Sequence, residues 1–268
     1  QDSDQRHIDR LRPYLPSNFC EQAADFILLH PGKVLITTGF WVVGTCETDG
    51  PVGAIVLADI LHDLGSEPVF VTDRFCAAIL HQCRAYRVID FPITSYAASQ
   101  QIATDLLAQE QPSLLISIER CGMNAEGRYA NMRHVDISPQ TAKIDLLFQQ
   151  FPESIGIGDG GNEIGMGNLW HAIQAEALPI IPCTTPVKHL VIATVSNWAA
   201  YGIAAYLSRM QQADFMRFVT PRPLLEQLVA WGCVDGVSGQ PTLSVDGFPL
   251  EHIEALVNRL RAEARRTP

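Results

Sequence analysis

Lys33-Val34-Leu35-Ile36-Thr37-Thr38, the segment 51–64 (PVGAIVLADILHDL) and Pro68-Val69-Phe70-Val71-Thr72 together decide the architecture. KVLITT is a short apolar run rich in β-branched residues, the pattern of a strand buried on both faces. In the next segment Pro51 suits a first helical turn. Apolar residues recur at Val52, Ile55, Val56, Ile60, Leu61 and Leu64, and Gly65 ends the period, so a helix is expected over 51–64. PVFVT is a second strand. Strand, helix, strand is the unit from which parallel sheets are built.

Outward from this unit the alternation continues. A helix is expected over 18–30, stopped by Pro31-Gly32, and another over 74–84. A strand over 86–91 precedes a helix over 95–110, and LLISI at 114–118 is the next strand. A long polar segment, 119–138, separates it from a helix over 141–150 and a strand over 154–158. A helix from Glu163 or Met166 onward, a strand over 187–194 and a helix over 197–210 complete the pattern. The tail reads as a small hairpin around Asp246-Gly247 and a final helix over 250–264. The expected fold is therefore α/β: a doubly wound, mostly parallel sheet with helices on both faces, Rossmann-like, with a small C-terminal appendage. No repeat, low-complexity tract or composition shift interrupts it, so 1–268 reads as a single α/β domain.

Composition narrows the function. The chain is 47% hydrophobic, carries a net charge of -10, and shows no basic stripe with interleaved aromatics, so no nucleic-acid partner is expected. The arginines 259, 261, 265 and 266 read as a solvated helix end. No apolar run is long enough to span a bilayer, and no membrane partner is expected. Seven cysteines without a Cys-x-x-Cys pair argue against a disulfide framework or structural zinc and for a reducing compartment, the cytoplasm. Because Gln1 opens the chain without a methionine, the mitochondrial matrix is the alternative if a targeting segment was removed.

The chemistry gathers where strands are expected to end. Ligands of open parallel sheets bind outside the carboxyl ends of the strands. Four polar segments fall there: Gly39-Phe40 with Glu47-Thr48-Asp49-Gly50-Pro51, then Glu119-Arg120-Cys121-Gly122, then Asp159-Gly160-Gly161-Asn162-Glu163, then Ser196-Asn197-Trp198. The third belongs to a run from Gly156 to Gly167 in which six of twelve residues are glycine, a backbone able to aim N–H groups at an anion. Thr48 or Asp49 reads equally well as a helix N-cap, and Asn197 likewise. Glu119-Arg120 reads either as a carboxylate anchor or as a structural ion pair. Cys46 and Cys121 read as small buried apolar residues. The glycine run lacks the Gly-Lys-Ser/Thr end of a P-loop, and no His-Glu-x-x-His or Gly-x-Ser-x-Gly occurs.

Taken together, Glu47-Thr48-Asp49-Gly50-Pro51, Ile118-Glu119-Arg120, Asn131-Met132-Arg133, the run 156–167 and Val195-Ser196-Asn197-Trp198 resemble the D-glutamate cyclase family. The resemblance is to its C-terminal, catalytic-type domain, which also occurs as a stand-alone bacterial protein, and covers residues 33–198. Cys121 and His134 stand where the family pattern more often has proline and glycine. The resemblance implies a lyase that converts D-glutamate to 5-oxo-D-proline with loss of water, acting on a small amino-acid substrate. No cofactor is expected, and self-association into a homo-oligomer is left open.

Within that expectation Glu47, Asp49 or Glu163 takes the ammonium proton, and Asp159 or Glu119 protonates the departing hydroxyl. The N–H groups of Gly160 and Gly161 face the oxyanion. Arg120 or Arg133 holds the α-carboxylate. Gly39, Thr48, Gly50, Asn131, Gly158, Asn162 and Asn197 complete the set expected to contact substrate. The alternatives are a hydrolase or phosphotransferase with a divalent metal among Glu47, Asp49, Asp159 and Glu163, and a non-catalytic binder of an acidic metabolite.

Overall fold

The computed structural model describes residues 7–83 and 85–265. Arg266, counted above in the C-terminal arginine group, and Arg84, the expected end of a helix, lie outside them.

In chain order the elements are α1 (Phe19–Leu29), β1 (Lys33–Thr37), a small hairpin of β2 (Trp41–Val42) and β3 (Thr45–Cys46), α2 (Pro51–Asp63), β4 (Glu67–Thr72), α3 (Arg74–Cys83) and β5 (Arg87–Asp90). Then come α4 (Tyr96–Glu110), β6 (Leu114–Ile118), α5 (Asp145–Gln150), β7 (Ser154–Gly158), α6 (Trp170–Ala175), β8 (His189–Ile192) and α7 (Ser196–Gln211). The tail holds α8 (Pro221–Ala230), the hairpin β9 (Ser244–Val245) and β10 (Phe248–Pro249), and α9 (Leu250–Ala264).

Six strands pair in the order β5-β4-β1-β6-β7-β8, every pairing parallel. From β1 the chain winds outward through β4 to β5, then crosses back through α4 to β6 and winds outward the other way. The direction reverses between β1 and β6, the switch point at which such sheets bind ligands. The inner strands β6 and β7 are buried along their whole length, which is why their sequences are largely apolar, with only the small Ser117 and Ser154 as polar residues.

Alternate residues of each strand feed opposite faces. Val34 and Ile36 pack with α1, α2 and α7, whereas Leu35, Val69 and Val71 pack with α4 and α5. The C-terminal appendage joins the first of these cores through Val245, Leu250, Ile253 and Val257.

Two expected helices are shorter than their sequence pattern. The helix over 141–150 begins only at Asp145, because Ala142 is committed elsewhere: its carbonyl accepts from Arg120 (2.9 Å) and its N–H reaches Asp73 (3.4 Å). The helix expected from Glu163 or Met166 becomes a 3₁₀ turn, Met166–Leu169, and then α6. There the Gly165 N–H goes to the Thr185 carbonyl (3.0 Å) instead of into a helical ladder. The hairpin β2–β3 and α8 carry no expectation from the sequence reading.

Candidate active site

A cavity of about 570 Å³ opens at the switch point. Its walls include Phe40 to Val43 from the β2–β3 hairpin, Glu47, Glu119, the Asn131-Met132-Arg133 turn, Asn162, Gly236 and Val237. Glu119 follows directly on β6 with φ of +47, a left-handed conformation that a non-glycine residue holds at a cost on the order of 1 kcal/mol. The Ser196 hydroxyl donates to its carboxylate at 2.6 Å. Behind the wall the carboxylates converge. Oxygens of Glu119, Asp159 and Glu163 lie within 4.8 Å of one another, as do those of Asp49, Asp159 and Asp246. Asp159 belongs to both groups, so the acids of three strand ends and of the C-terminal hairpin form one continuous cluster.

Asn162 adds a neutral acceptor. Its side-chain N–H donates to the Ala130 carbonyl (2.9 Å), which orients the amide. Its Oδ1, on a residue only 3% exposed, has no hydrogen-bond partner among the described residues. Arg133, exposed at the mouth, donates loosely to the Val237 carbonyl (3.4 Å). The Asn131 carboxamide accepts from the N–H groups of Arg133 (2.9 Å) and Val135 (3.1 Å), so Asn131 shapes the turn that presents Arg133. His134, in the same turn, adopts φ of +59, a conformation that glycine reaches more cheaply.

Several expected contacts are spent inside the protein. The oxyanion cradle expected from Gly160 and Gly161 is filled by Glu163, whose two oxygens accept their N–H groups at 2.9 and 2.8 Å. Glu163 therefore braces the glycine loop, and Gly158 packs beneath it. The N–H groups at the start of α2 are also taken: Gly50, expected to contact substrate, and Gly53 donate to Asn197 Oδ1 at 3.0 and 2.7 Å.

Asp49 returns the arrangement. Its carboxylate accepts from the N–H groups of Gly50 (2.9 Å), Ser196 (2.8 Å) and Asn197 (2.8 Å). Residues before α2 thus cap α7, and a residue of α7 caps α2. Each such cap is worth about 1 kcal/mol, and a charged acceptor more. Gly50 lies between them at φ of +90, with Thr38 Oγ1 2.5 Å from where a Cβ would stand. Thr48 points away from the cavity and donates to the Ser244 carbonyl (2.8 Å), anchoring the C-terminal hairpin.

Arg120 is the clearest departure from expectation. It is 1% exposed and pairs with Asp73 (2.6 Å). It also donates to the carbonyls of Gly39 (2.7 Å) and Ala142 (2.9 Å). It ties three loops together and cannot reach a substrate carboxylate, and Gly39 serves it as an acceptor. Cys46 lies 3.6 Å from Cys233, and the shared thiol contact together with burial holds its pKa well above the ordinary value. Burial does the same for Cys121, so both stay as neutral thiols.

Trp41, Val42, Val43, Gly236 and Val237 of the wall escaped the sequence reading. Apolar loop residues carry no chemical signature, and Asp246-Gly247 reads as a hairpin turn and nothing more.

The family described as D-glutamate cyclase-like, C-terminal, matches residues 1–261. Human "D-glutamate cyclase, mitochondrial" is 31% identical over 281 aligned residues, which cover 87% of this chain and 46% of that protein. The chain thus spans about half the length of the curated relative it matches.

Proposed function

Since the chain belongs to the D-glutamate cyclase-like family, we propose that its cavity closes D-glutamate into 5-oxo-D-proline with release of water. One observation carries this reading: Glu47, Glu119 and Asn162, whose side-chain Oδ1 has no hydrogen-bond partner among the described residues, line one cavity that Arg133 also lines. The acidic wall accepts the amine end of an amino acid and repels its carboxylates. Arg133 offers the complementary charge to those carboxylates.

The reaction makes a bond from the amine nitrogen to the γ-carboxyl carbon and breaks a C–O bond at that carbon; the ammonium nitrogen gives up two protons in all, and the departing oxygen takes up two and leaves as water. Glu47 is our base for the ammonium proton, because it lines the cavity while Asp49 and Glu163 are committed to backbone N–H groups. Glu119, steadied by Ser196, is our acid for the departing hydroxyl. Asp159 joins the two carboxylate groups behind them. Incubation with each enantiomer of glutamate, followed by chiral detection of 5-oxoproline, tests the reading. Formation from D-glutamate supports it, and absence of product from both enantiomers removes it.

The carboxylate cluster also favours a second reading, in which a divalent cation sits among Asp49, Glu119, Asp159, Glu163 and Asp246 and the chain is a metal-dependent hydrolase or phosphotransferase. Hard oxygen donors suit Mg²⁺, Mn²⁺ or Ca²⁺. Loss of activity on chelation, restored by one of these ions, distinguishes it. For location our reading is the cytoplasm, supported by seven cysteines that all remain free thiols. The human relative is mitochondrial, which keeps the mitochondrial matrix as the alternative. Among the described residues no helix is long and apolar enough to cross a membrane.

A further inference from the structure

We propose that the cavity accepts γ-amides of D-glutamate whose departing amine carries an apolar group, with Trp41, Val42, Val43 and Val237 holding that group. This rests on the ring closure proposed above and extends it from the free amino acid to a class of larger donors.

The cavity is larger and less polar than D-glutamate requires. Its volume of about 570 Å³ falls within the range of sites that bury drug-sized ligands, about 300–1,000 Å³. Beside Glu47 and Glu119 it presents apolar side chains from two separate segments, the β2–β3 hairpin and the turn at 235–239. Two of them, Val43 and Val237, are 74% and 46% exposed, and exposed apolar surface that lines a cavity is the mark of a ligand groove. D-glutamate offers such a wall only its short methylene stretch. The α-amine must stay free to attack and the α-carboxylate is the partner of Arg133, so an apolar extension falls on the γ-carbonyl group.

The backbone presents these side chains at a cost. β2 and β3 pair Val42 with Thr45, so Val43 and Gly44 form a two-residue turn with φ of +47 and +90. Asn-Gly fits such a turn readily, whereas a β-branched residue at positive φ is an outlier. A Cβ on Gly239 would stand 3.1 Å from Val43 Cγ2, so the hairpin tip and the 235–239 turn meet with only a glycine between them. Asp235, fully buried, fixes that turn and ties the C-terminal hairpin to the wall. Its carboxylate accepts from the N–H groups of Val237 (3.2 Å), Ser238 (2.8 Å) and Gly247 (2.8 Å), and from the Ser244 hydroxyl (2.9 Å). Trp41 stands edge-on to Phe75, with ring centroids 6.4 Å apart.

With an amide donor the amine nitrogen bonds to the γ-carbonyl carbon, and the C–N bond to the departing amine breaks. The ammonium nitrogen gives up two protons and keeps one as the lactam N–H. The departing nitrogen takes up both and leaves as an ammonium, so water is neither consumed nor released. Glu47 as base and Glu119 as acid serve the same transfers as in D-glutamate.

The test measures steady-state turnover of D-glutamate, D-glutamine and γ-D-glutamyl benzylamide over the rate without protein, with chiral detection of 5-oxo-D-proline. The kcat/KM for the benzylamide is expected to exceed that for D-glutamine, an amide without an apolar group, by about tenfold or more. Val43→Asn, which the turn favours, and Val237→Ser are each expected to lower that ratio by about fivefold or more. Val43→Gly replaces the asparagine variant if that one does not fold. A benzylamide turned over no better than D-glutamine overturns the proposal, and so does a ratio that neither variant moves. Turnover of the benzylamide without cyclisation of D-glutamate upholds the proposal and removes the water-releasing reaction. Cyclisation of D-glutamate with an inert benzylamide does the reverse, and inertness of all three compounds removes both.

Discussion

Glu47 and Asp49 stand two residues apart, are both carboxylates and are both buried, at 6% and 1% exposure, yet they belong to different regions. Asp49 sits in the platform behind the cavity, where its oxygens accept N–H groups from the start of α7 and from Gly50. Asn197, Thr48 and Arg120 share that platform, each bonded to backbone that other segments present. Glu47 sits in the wall with Glu119, Asn162 and Arg133, where polar groups face open volume. Polar residues crowd at strand ends in both regions. What separates the two regions is whether the side chain is enclosed among backbone groups of other segments or lines a space that a ligand can enter.

That contrast is open to direct attack. Glu47→Gln is expected to lower turnover of D-glutamate by about 10³-fold while leaving the denaturation midpoint close to wild type, because general-base groups contribute roughly 10²–10⁴ and the change keeps shape. A large loss of stability with retained turnover per folded molecule would move Glu47 into the platform. Asp49→Ala is expected to cost about 3 kcal/mol in urea unfolding, since it strands the two buried N–H groups of Ser196 and Asn197 at the start of α7. Arg133→Gln is expected to raise KM about tenfold with little change in kcat, read from steady-state kinetics, because Arg133 supplies binding charge at the mouth.

The smallest effect concerns Asp235. Burial alone raises its pKa, but hydrogen bonds from Gly247, Ser238 and Ser244 outweigh it and hold the value below the ordinary one. A carboxyl whose folded pKa lies below its unfolded pKa stabilises the fold fully above the unfolded value. That contribution is lost as pH falls through the folded value. Acid unfolding below about pH 4 is therefore expected to be less steep in Asp235→Asn than in the wild type, by about one proton. Superimposable acid-unfolding curves would remove Asp235 as the clamp between hairpin and wall.

Most of the scaffold was legible in the chain. β6 and β7 fall on the expected residues, 114–118 and 154–158, because strands buried on both faces are largely apolar. α9 spans the expected 250–264, with Pro249 before it and a clean apolar period inside. α8 escaped although Pro221, Leu225 and Leu228 carry a helical signature, since it follows α7 without an intervening strand. The two-residue strands of the β2–β3 hairpin are too short to leave any periodicity.

The site was legible as a neighbourhood and not as an assignment of roles. The sequence marked Glu47, Glu119, Asn131, Arg133 and Asn162, which do line the cavity. It gave equal weight to Arg120, whose burial against Asp73 turns it away, and to the Gly160 and Gly161 N–H groups, which Glu163 occupies. Asp246 was marked only as a turn.

By itself, then, the amino-acid order determined the alternation of strands and helices and the gathering of acids and glycines at strand ends, because both follow from periodicity and backbone geometry within a few residues. Only the tertiary structure decided which acid caps a helix and which faces the cavity. The partners that settle the matter, such as Asp49 with Ser196 and Thr48 with Ser244, lie some 150 to 200 residues apart, and hydrogen bonds over that span leave no trace in local pattern.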